Sequence, residues 1–132
     1  MSPKDLTQGT VLTYSYLWLR EQNHGETEGR KIRPTAVAFN MGNVIALVPI
    51  TTKAPSHEDL ALEIPEIEKR RAGLDTRMRQ WLVLNELNID DPTQSYYLED
   101  GSIIGQFSKP FFHKALLLLK EHLSNIKQVP RR

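Results

Sequence analysis

Short apolar or alternating runs, separated by polar stretches, dominate the first two thirds of the chain. Residues 10–18 (TVLTYSYLW) alternate and are rich in β-branched and aromatic side chains, which predicts a strand. Residues 81–87 (WLVLNEL) form the most apolar run and are therefore predicted to be a central strand. The polar stretch at 19–32 is predicted to be a long loop. Further strands are predicted over 35–39, 44–51 and 60–64, with a short edge strand over 96–99.

The periodicity changes near the end of the chain, where residues 110–124 (PFFHKALLLLKEHLS) predict a helix. Pro110 suits the first helical turn, and Ser108 just before it is a residue type that caps helices. Apolar residues recur three or four positions apart and form one core-facing stripe: Phe112, Ala115, Leu116, Leu119 and Leu123. The tail over 125–132 is expected to be frayed.

Many short strands with one terminal helix indicate a mainly β fold with helical additions. At 132 residues the chain fits a single domain over 1–132. We expect a small antiparallel β-barrel or sandwich over about 9–107, followed by the C-terminal helix at 110–124.

Two polar residues mark the ends of the strands at 35–39 and 44–51. Arg33 comes just before the first strand, and Thr51 closes the second. A Gly-containing turn at 40–43 predicts that the two strands form a hairpin, which brings Arg33 and Thr51 to the same open end. An arginine and a hydroxyl at one sheet end can hold a phosphate. The alternative is a surface charge and a turn residue.

The net charge is only +1, from 17 Lys and Arg against 16 Asp and Glu, which excludes a uniformly basic nucleic-acid binder. One basic cluster nevertheless lies at 30–33 and a second at 69–79, while acidic segments at 54–68 and 80–108 balance them. These clusters predict a positive patch, with separate solvated faces as the alternative. Trp81, just after the second cluster, either stacks on a base or packs in the core, and its strand position favours the core.

Residues that commonly carry other chemistries are missing or scattered. The chain has no cysteine, which excludes disulfides, thiolate metal sites and cysteine nucleophiles. Its four histidines do not fall at metal-binding spacing, and it has neither a phosphate-binding glycine loop nor a G-x-S-x-G motif. We therefore expect no metal or cofactor. No apolar run suits a membrane helix and no signal-peptide segment is present, so we expect a cytoplasmic protein.

Three strings occur in order in the first part of the chain: GTVLTYSYLW at 9–18, GRKIRPTAVAF at 29–39 and VIALVPITT at 44–52. WLVLNELN at 81–88 and IIGQFSKPFF ahead of the helix follow them. This set resembles the MazF/PemK (Kid) group of toxins from type II toxin–antitoxin systems, over roughly Gly9 to Leu123. The resemblance implies an SH3-like five-stranded barrel with helical additions, and a homodimer. It also implies a growth inhibitor that cleaves single-stranded RNA without a metal and is neutralised by a cognate antitoxin.

The resemblance also assigns residues to the reaction. Arg33 matches the group's catalytic arginine before proline, and Thr51 matches its catalytic threonine after Pro-Ile. The implied chemistry is attack by a ribose 2′-OH on the adjacent phosphate. Arg33 would stabilise the charged transition state, and Thr51 would hold the phosphate or the attacking hydroxyl. The basic clusters are expected to contact the RNA through Arg30, Lys31, Arg70, Arg71, Arg77 and Arg79.

Another group must take the proton of the 2′-OH, because an arginine with a pKa of about 12 or more is a poor base. The candidates are His24, Glu26 and Glu28 in the long loop, and Glu86 on the later strand. Some members of the group carry an Arg and an Asp-Gln on that strand, and here the acid is displaced by one residue. Since such a displacement turns a side chain to the other face of a sheet, the alternative is that Glu86 is structural.

The resemblance leaves a second function open. SH3-like barrels related to this group act on unrelated targets, so the fold alone does not decide. The alternative to a nuclease is a non-catalytic SH3-like barrel that binds a protein or a nucleic acid through its loops. An additional segment at roughly 90–101 has no counterpart in the group.

Overall fold

The computed structural model describes residues 5–27, 31–99 and 101–131, and its fold is mainly β. The strands are β1 (Thr10–Tyr14), β2 (Arg33–Asn40), β3 (Ile45–Thr51), β4 (Ala61–Glu63), β5 (Trp81–Val83), β6 (Glu86–Asp90), β7 (Ile103–Gln106) and β8 (Lys127–Pro130). The helices are α1 (Leu19–Asn23), α2 (Glu66–Arg71), α3 (Tyr96–Glu99) and α4 (Lys109–Glu121), and a 3₁₀ turn covers Leu123–Asn125. The predicted mainly β class with helical additions is confirmed.

The strands form one sheet in the order β4-β5-β3-β2-β1-β7, with β6 beside β3 and β8 beside β6. The pairings are antiparallel, except that β6 and β8 run parallel. Within the described residues no pairing joins β4 to β7, the two ends of this path, so the sheet is not closed. The structure therefore establishes one mainly antiparallel sheet, and no closed barrel.

Apolar side chains cover both faces of the sheet. One face carries a buried cluster that includes Val48 and Ile50 of β3 and is covered by Phe112 and Ala115 of α4. The other face carries a second cluster, rich in aromatic residues of β1 and the segment after it: Leu12, Tyr14, Tyr16 and Trp18. The sheet thus has a helix-covered face and an aromatic face, and the candidate site borders the aromatic face.

Helix α4 begins where the sequence predicts. The Ser108 Oγ accepts a hydrogen bond from the Phe111 N–H at 3.3 Å, which satisfies a backbone donor of the first turn. Pro110 occupies that first turn, where it removes no helical hydrogen bond. Glu68 of α2 accepts from both the N–H and the Oγ of Ser108, at 2.8 and 2.7 Å. This carboxylate therefore ties the start of α4 to α2.

The strand predicted over 10–18 is shorter than expected, since β1 stops at Tyr14. The Tyr16 N–H donates to the Tyr14 carbonyl at 2.9 Å instead of to a neighbouring strand. Trp18 precedes α1, and the Trp18 N–H donates to Glu21 Oε1 at 3.0 Å. Part of the loop predicted over 19–32 is therefore helical, because the chain turns at Trp18 and Glu21 satisfies the freed backbone donor.

The edge strand predicted over 96–99 is wrong, because these residues form the short helix α3. The Leu98 N–H donates to Ser95 Oγ at 3.2 Å, and this side-chain cap stabilises a helical turn. The Ser95 N–H donates to the Asp91 carbonyl at 2.9 Å, so the chain is already curled before α3 starts. Local side-chain bonds therefore override the aromatic pattern that favoured a strand.

The frayed tail predicted over 125–132 is also wrong for its central part, which forms β8. Val129 is fully buried and Ile126 nearly so, so the tail covers apolar surface. The Lys127 N–H donates to the Asn85 carbonyl at 3.0 Å, and the Arg131 N–H donates to the Ile89 carbonyl at 2.9 Å. The outer edge of β6 gains its hydrogen-bonding partner in this way.

Candidate active site

Strands β2 and β3 bring Arg33 and Thr51 together at one end of the sheet. Thr35 pairs with Pro49 in an antiparallel register, and Arg33 and Thr51 each lie two residues beyond that pair, at the ends of β2 and β3. Opposite residues of an antiparallel pair project from the same face, with Cβ atoms about 4.5–5.5 Å apart. The predicted hairpin is confirmed, and its register, continued by two residues, brings Arg33 and Thr51 to the same edge of the sheet, where both line one cavity.

Arg33 and Thr51 line an open cavity of about 750 Å³, and Lys31 and Glu86 line it too. Its charged lining consists of four bases and two acids: Arg20, Lys31, Arg33 and Lys53, with Asp59 and Glu86. The excess of positive charge favours an anionic ligand, and phosphates are the anions that basic clefts most often attract in nucleic-acid binders. The three predicted catalytic residues and one predicted RNA contact, Lys31, therefore meet in one place.

Arg33 is half-buried and is held by aromatic contact. Its guanidinium carbon lies 5.1 Å from the centre of the Trp18 ring, and that of Arg20 lies 4.5 Å from it. The Arg33 Nε is buried and has no hydrogen-bond partner within the described residues. Burial lowers the pKa of Arg33 below its ordinary value, and the negative charge of Glu21 opposes that effect. The ring contact positions the guanidinium while leaving donors for a ligand.

Thr51 is fixed on the other side of the pair. Its Oγ1 accepts a hydrogen bond from the Lys53 N–H at 3.1 Å. Because a threonine hydroxyl has one donor hydrogen besides its acceptor lone pairs, it still has that hydrogen to donate. Thr51 pairs on its far side with Trp81 of β5, so its backbone is held between β2 and β5 in the sheet.

The strand that carries Glu86 is broken, and the break decides which face Glu86 occupies. β3 pairs Ile50 with Leu82 in β5 and Leu47 with Asn88 in β6. Between these two pairs lie two residues of β3 and five residues of the other strand, so that strand carries three extra residues. An odd number of extra residues reverses the alternation of faces. With the alternation reversed in this way, Glu86 lies on the cavity side of the sheet and lines the cavity.

Glu86 is buried against the segment that joins β1 to α1. Its Oε1 accepts hydrogen bonds from the Tyr16 hydroxyl at 3.1 Å and from the Leu19 N–H at 3.0 Å. Burial raises the pKa of Glu86 above its ordinary value of 4.5, against the opposing effect of these two donors. Burial also raises the pKa of Tyr16, so its hydroxyl keeps the proton that it donates. A cavity-lining carboxyl with a raised pKa suits proton transfer nearer neutral pH.

The second basic cluster lies away from this cavity. Each of its four predicted RNA-contacting arginines lies beside an acid: Arg70 by Glu66 at 3.4 Å, Arg71 by Glu68 at 3.9 Å, Arg77 by Asp75 at 3.1 Å and Arg79 by Glu63 at 2.7 Å. The hydrogen bonds from Arg79 and Arg77 hold the pKa values of Glu63 and Asp75 below their ordinary range. None of these four arginines lines the cavity, and their contact with RNA stays a prediction.

Trp81 lies beneath one of these ion pairs. The Arg79 guanidinium carbon is 5.0 Å from the centre of the Trp81 ring, and Trp81 is only 7% exposed. An aromatic ring that is covered on this scale packs in the protein and offers little surface for a base. The structure therefore favours the core interpretation of Trp81.

The structure also narrows the choice of base. Arg30 and the candidate base Glu28 lie outside the described residues. Of the candidates that the structure describes, Glu86 lines the cavity, and His24 and Glu26 do not. The geometry thus favours Glu86 among the described candidates.

The cavity also has polar and aromatic lining residues that were not predicted as part of the site, among them Trp18, Arg20, Lys53 and Asn85. Arg20 lies on α1, where the sequence predicts a loop. Without a helical pattern, the sequence did not indicate that the Arg20 side chain reaches the cavity. Lys53 follows Thr51 by two residues, a short spacing that is visible in the sequence. Asn85 lies in the break between β5 and β6, and its Oδ1 is buried without a partner among the described residues.

The chain was compared with protein families, curated proteins and solved structures. No family model, no curated protein and no solved structure matches the chain. In the part of the chain that the structure describes, no three His, Asp or Glu side chains are grouped to hold a metal ion. Over the same residues, no helix is both long and apolar enough to cross a membrane.

Proposed function

We propose that the chain is a metal-independent endoribonuclease of the MazF/PemK kind, which cleaves single-stranded RNA in the cavity lined by Arg33, Thr51 and Glu86. The observation that carries the proposal is that the pairing of β2 and β3 brings an arginine and a threonine to one edge of the sheet, in a cavity with an excess of bases. A guanidinium and a hydroxyl side by side suit the oxygens of one phosphate. The strings that resemble the MazF/PemK group support the same reaction.

The reaction is an internal phosphoryl transfer. The 2′-oxygen of one ribose attacks the adjacent phosphorus, and the bond from phosphorus to the 5′-oxygen of the next nucleotide breaks. The products are a 2′,3′-cyclic phosphate and a 5′-hydroxyl. Glu86 accepts the proton that leaves the 2′-hydroxyl, and Arg33 or water delivers a proton to the 5′-oxygen, so the step balances without another reactant.

Arg33 and Thr51 act on the charge and the geometry of this step. Negative charge builds on the phosphate oxygens as the fifth bond to phosphorus forms. Arg33 donors that are already in place stabilise that charge without reorganising, and the Trp18 ring holds the guanidinium. The Thr51 hydroxyl donates to the phosphate or to the attacking oxygen and so fixes the line of attack.

We extend the proposal to the finer features that the resemblance implies. The sheet would be the core of an SH3-like small antiparallel barrel, and two copies of the chain would form a homodimer. The protein would be a cytoplasmic growth inhibitor that a cognate antitoxin neutralises. The mainly antiparallel sheet with a helix near its C-terminus is compatible with this picture.

The experiment that tests the function compares growth and RNA integrity in bacteria that express the wild type, Arg33→Ala, Thr51→Ala and Lys114→Ala. Lys114 is exposed on α4, outside the cavity, so Lys114→Ala removes a positive charge away from the site. We expect the wild type and Lys114→Ala to slow growth and degrade RNA, and the two cavity variants to be benign.

The same comparison separates the nuclease from the non-catalytic alternative. If all four proteins are equally benign and a panel of purified single-stranded RNAs stays intact, the nuclease proposal fails and a binding module remains. If Arg33→Ala and Thr51→Ala are as toxic as the wild type, the activity does not reside in this cavity.

A further inference from the structure

A second, smaller hollow borders the cavity. Its volume is about 150 Å³, and it is lined by Thr13, Tyr14, Ser15, Ile32, Tyr96, Tyr97 and Gly101. Ile32 belongs to the walls of both spaces, and the next residue in the chain is Arg33. An RNA strand with one phosphate at Arg33 would therefore have the neighbouring nucleotide beside this hollow. A water molecule takes up about 30 Å³ in the liquid. The hollow is several times larger than that, so it has room for a small flat group.

The hollow is built mainly from tyrosine rings. Tyr96 is 71% exposed and meets Tyr97 edge to face, with ring centres 6.1 Å apart. Tyr97 in turn meets Tyr14 edge to face at 6.2 Å. The Arg131 guanidinium carbon lies 4.0 Å from the centre of the Tyr97 ring, so Tyr97 is held by neighbours on several sides. Tyr96 is thus an exposed ring on a fixed support.

A buried carboxylate anchors the segment that carries Tyr96. Asp90 Oδ2 accepts hydrogen bonds from the Tyr14 hydroxyl at 2.7 Å and from the Ser95 Oγ at 2.6 Å. Ser95 caps α3, which begins at Tyr96, so the helix start is linked through Asp90 of β6 to Tyr14 of β1. At the other end of the segment, a Cβ on Gly101 would lie 2.5 Å from the Thr13 carbonyl oxygen. Only glycine fits there without moving the backbone of β1.

We propose that this hollow is a subsite for one nucleobase of the RNA strand, next to the phosphate that is cleaved, with Tyr96 as the ring on which that base stacks. The inference rests on the proposed function. Stacking on an exposed aromatic ring tolerates any base because every base has a flat π face. Lys31 and Arg33 lie at the adjoining cavity and neutralise the phosphates on either side of that base. The segment at 90–101 thereby gains a role in holding substrate.

Binding of a strand that cannot be cleaved tests this inference separately from catalysis. The probe is a short fluorescein-labelled 2′-O-methyl RNA of mixed sequence, whose blocked 2′-oxygen cannot attack. A second probe of equal length has the same backbone and no bases. Dissociation constants are measured by fluorescence anisotropy for the wild type, Tyr96→Ala, Tyr96→Phe and Met41→Ala. Met41 is an exposed apolar side chain between β2 and β3 and lines neither space.

Stacking predicts a loss that depends on the ring. Since one stacked base contributes about 1–3 kcal/mol by alanine substitution, Tyr96→Ala should weaken binding of the strand with bases about 5- to 150-fold. Tyr96→Phe and Met41→Ala should stay within about twofold of the wild type, and the baseless strand should bind all four proteins alike. Tyr96 is exposed, so its loss leaves the buried clusters intact.

Three results would overturn the inference: equal binding by Tyr96→Ala and the wild type, equal losses in Tyr96→Phe and Tyr96→Ala, or no binding of the strand with bases by the wild type. Cleavage of unmodified RNA by the wild type is scored in parallel. If the wild type cleaves RNA and Tyr96→Ala binds normally, the subsite is wrong and the nuclease stands. If the wild type does not cleave and Tyr96→Ala still weakens binding, the nuclease is wrong and the base subsite stands.

Discussion

Arg33 and Thr51 lie at the same end of the β2–β3 hairpin, each two residues beyond the Thr35–Pro49 pair, and both line one cavity. The antiparallel pairing of the two strands brings both residues to this edge of the sheet. The proposed nuclease site depends on that pairing, because it joins two residues that are 18 positions apart in the sequence.

Thr51→Val tests the hydroxyl with little change in shape. Valine keeps the branched outline and removes the donor, so a hydrogen bond to a charged phosphate is lost. Since such a bond contributes about 1.5–3 kcal/mol, we expect kcat/KM for single-stranded RNA to fall about 10- to 150-fold. Thr51→Ser keeps the hydroxyl and should retain most of the activity. Equal rates for Thr51→Val and the wild type would remove the hydroxyl from the mechanism.

Glu86 should give the stability of the protein a defined pH dependence. Its pKa in the folded protein is raised above 4.5, so the folded state binds more protons than the unfolded state between the two values. The free energy of unfolding therefore falls as pH rises from about 4.5 through the raised pKa. Glu86→Gln keeps an oxygen that accepts from Tyr16 and Leu19 and has no proton to lose. Urea unfolding from pH 4 upward should show Glu86→Gln gaining stability relative to the wild type. A difference that is constant with pH contradicts the raised pKa.

The role of Glu86 as the base predicts a second pH effect, this time on rate. The carboxylate form accepts the proton, so log kcat/KM should rise with pH up to the raised pKa of Glu86 and then level off. Glu86→Gln should remove that rising limb and lower the rate about 10²- to 10⁴-fold. If Glu86→Gln retains the rate and the pH profile, the structural interpretation of Glu86 is correct and the base lies elsewhere.

The C-terminal strand can be tested by amide hydrogen exchange. The N–H groups of Lys127 and Arg131 donate to carbonyls of the segment 85–89, so they should exchange far more slowly than unstructured peptide. Protection here reports the opening of β8 from β6. Exchange of 127–131 at the intrinsic rate would restore the frayed tail that the sequence predicts.

How far the sequence predicts this molecule depends on whether a feature is local. The β2–β3 hairpin follows from two apolar runs and a Gly-containing turn, and it brings Arg33 and Thr51 to one end of the sheet, as the sequence predicts. Helix α4 follows from its cap and its apolar stripe. The break between β5 and β6 is not local, because the three extra residues exist only in relation to β3. The face of the sheet on which Glu86 lies could therefore not be predicted from the sequence.

The other incorrect predictions also concern features that depend on contacts formed only in the folded protein. Tyr96 and Tyr97 have high strand propensity, but the cap at Ser95 and the anchor at Asp90 make a helix of α3. The polar tail KQVP gives little sign of a strand, and it becomes one because β6 presents an edge to it. The arginines of the 69–79 cluster predict RNA contact because they are positively charged. Their ion pairs with Asp75 and Glu63 form only when the chain folds, so the sequence does not show them.

The most direct test of the central claim is the chemistry of the RNA product. A single-stranded RNA is incubated with the wild type in the presence of a chelator, and the cleavage site is mapped. The same strand is then made with one 2′-deoxy nucleotide on the 5′ side of the scissile phosphate. We predict a 2′,3′-cyclic phosphate and a 5′-hydroxyl from the first strand, no cleavage at that site in the second, and no products from Arg33→Ala. Cleavage of the deoxy strand at the same position, or undiminished cleavage by Arg33→Ala, would contradict the account.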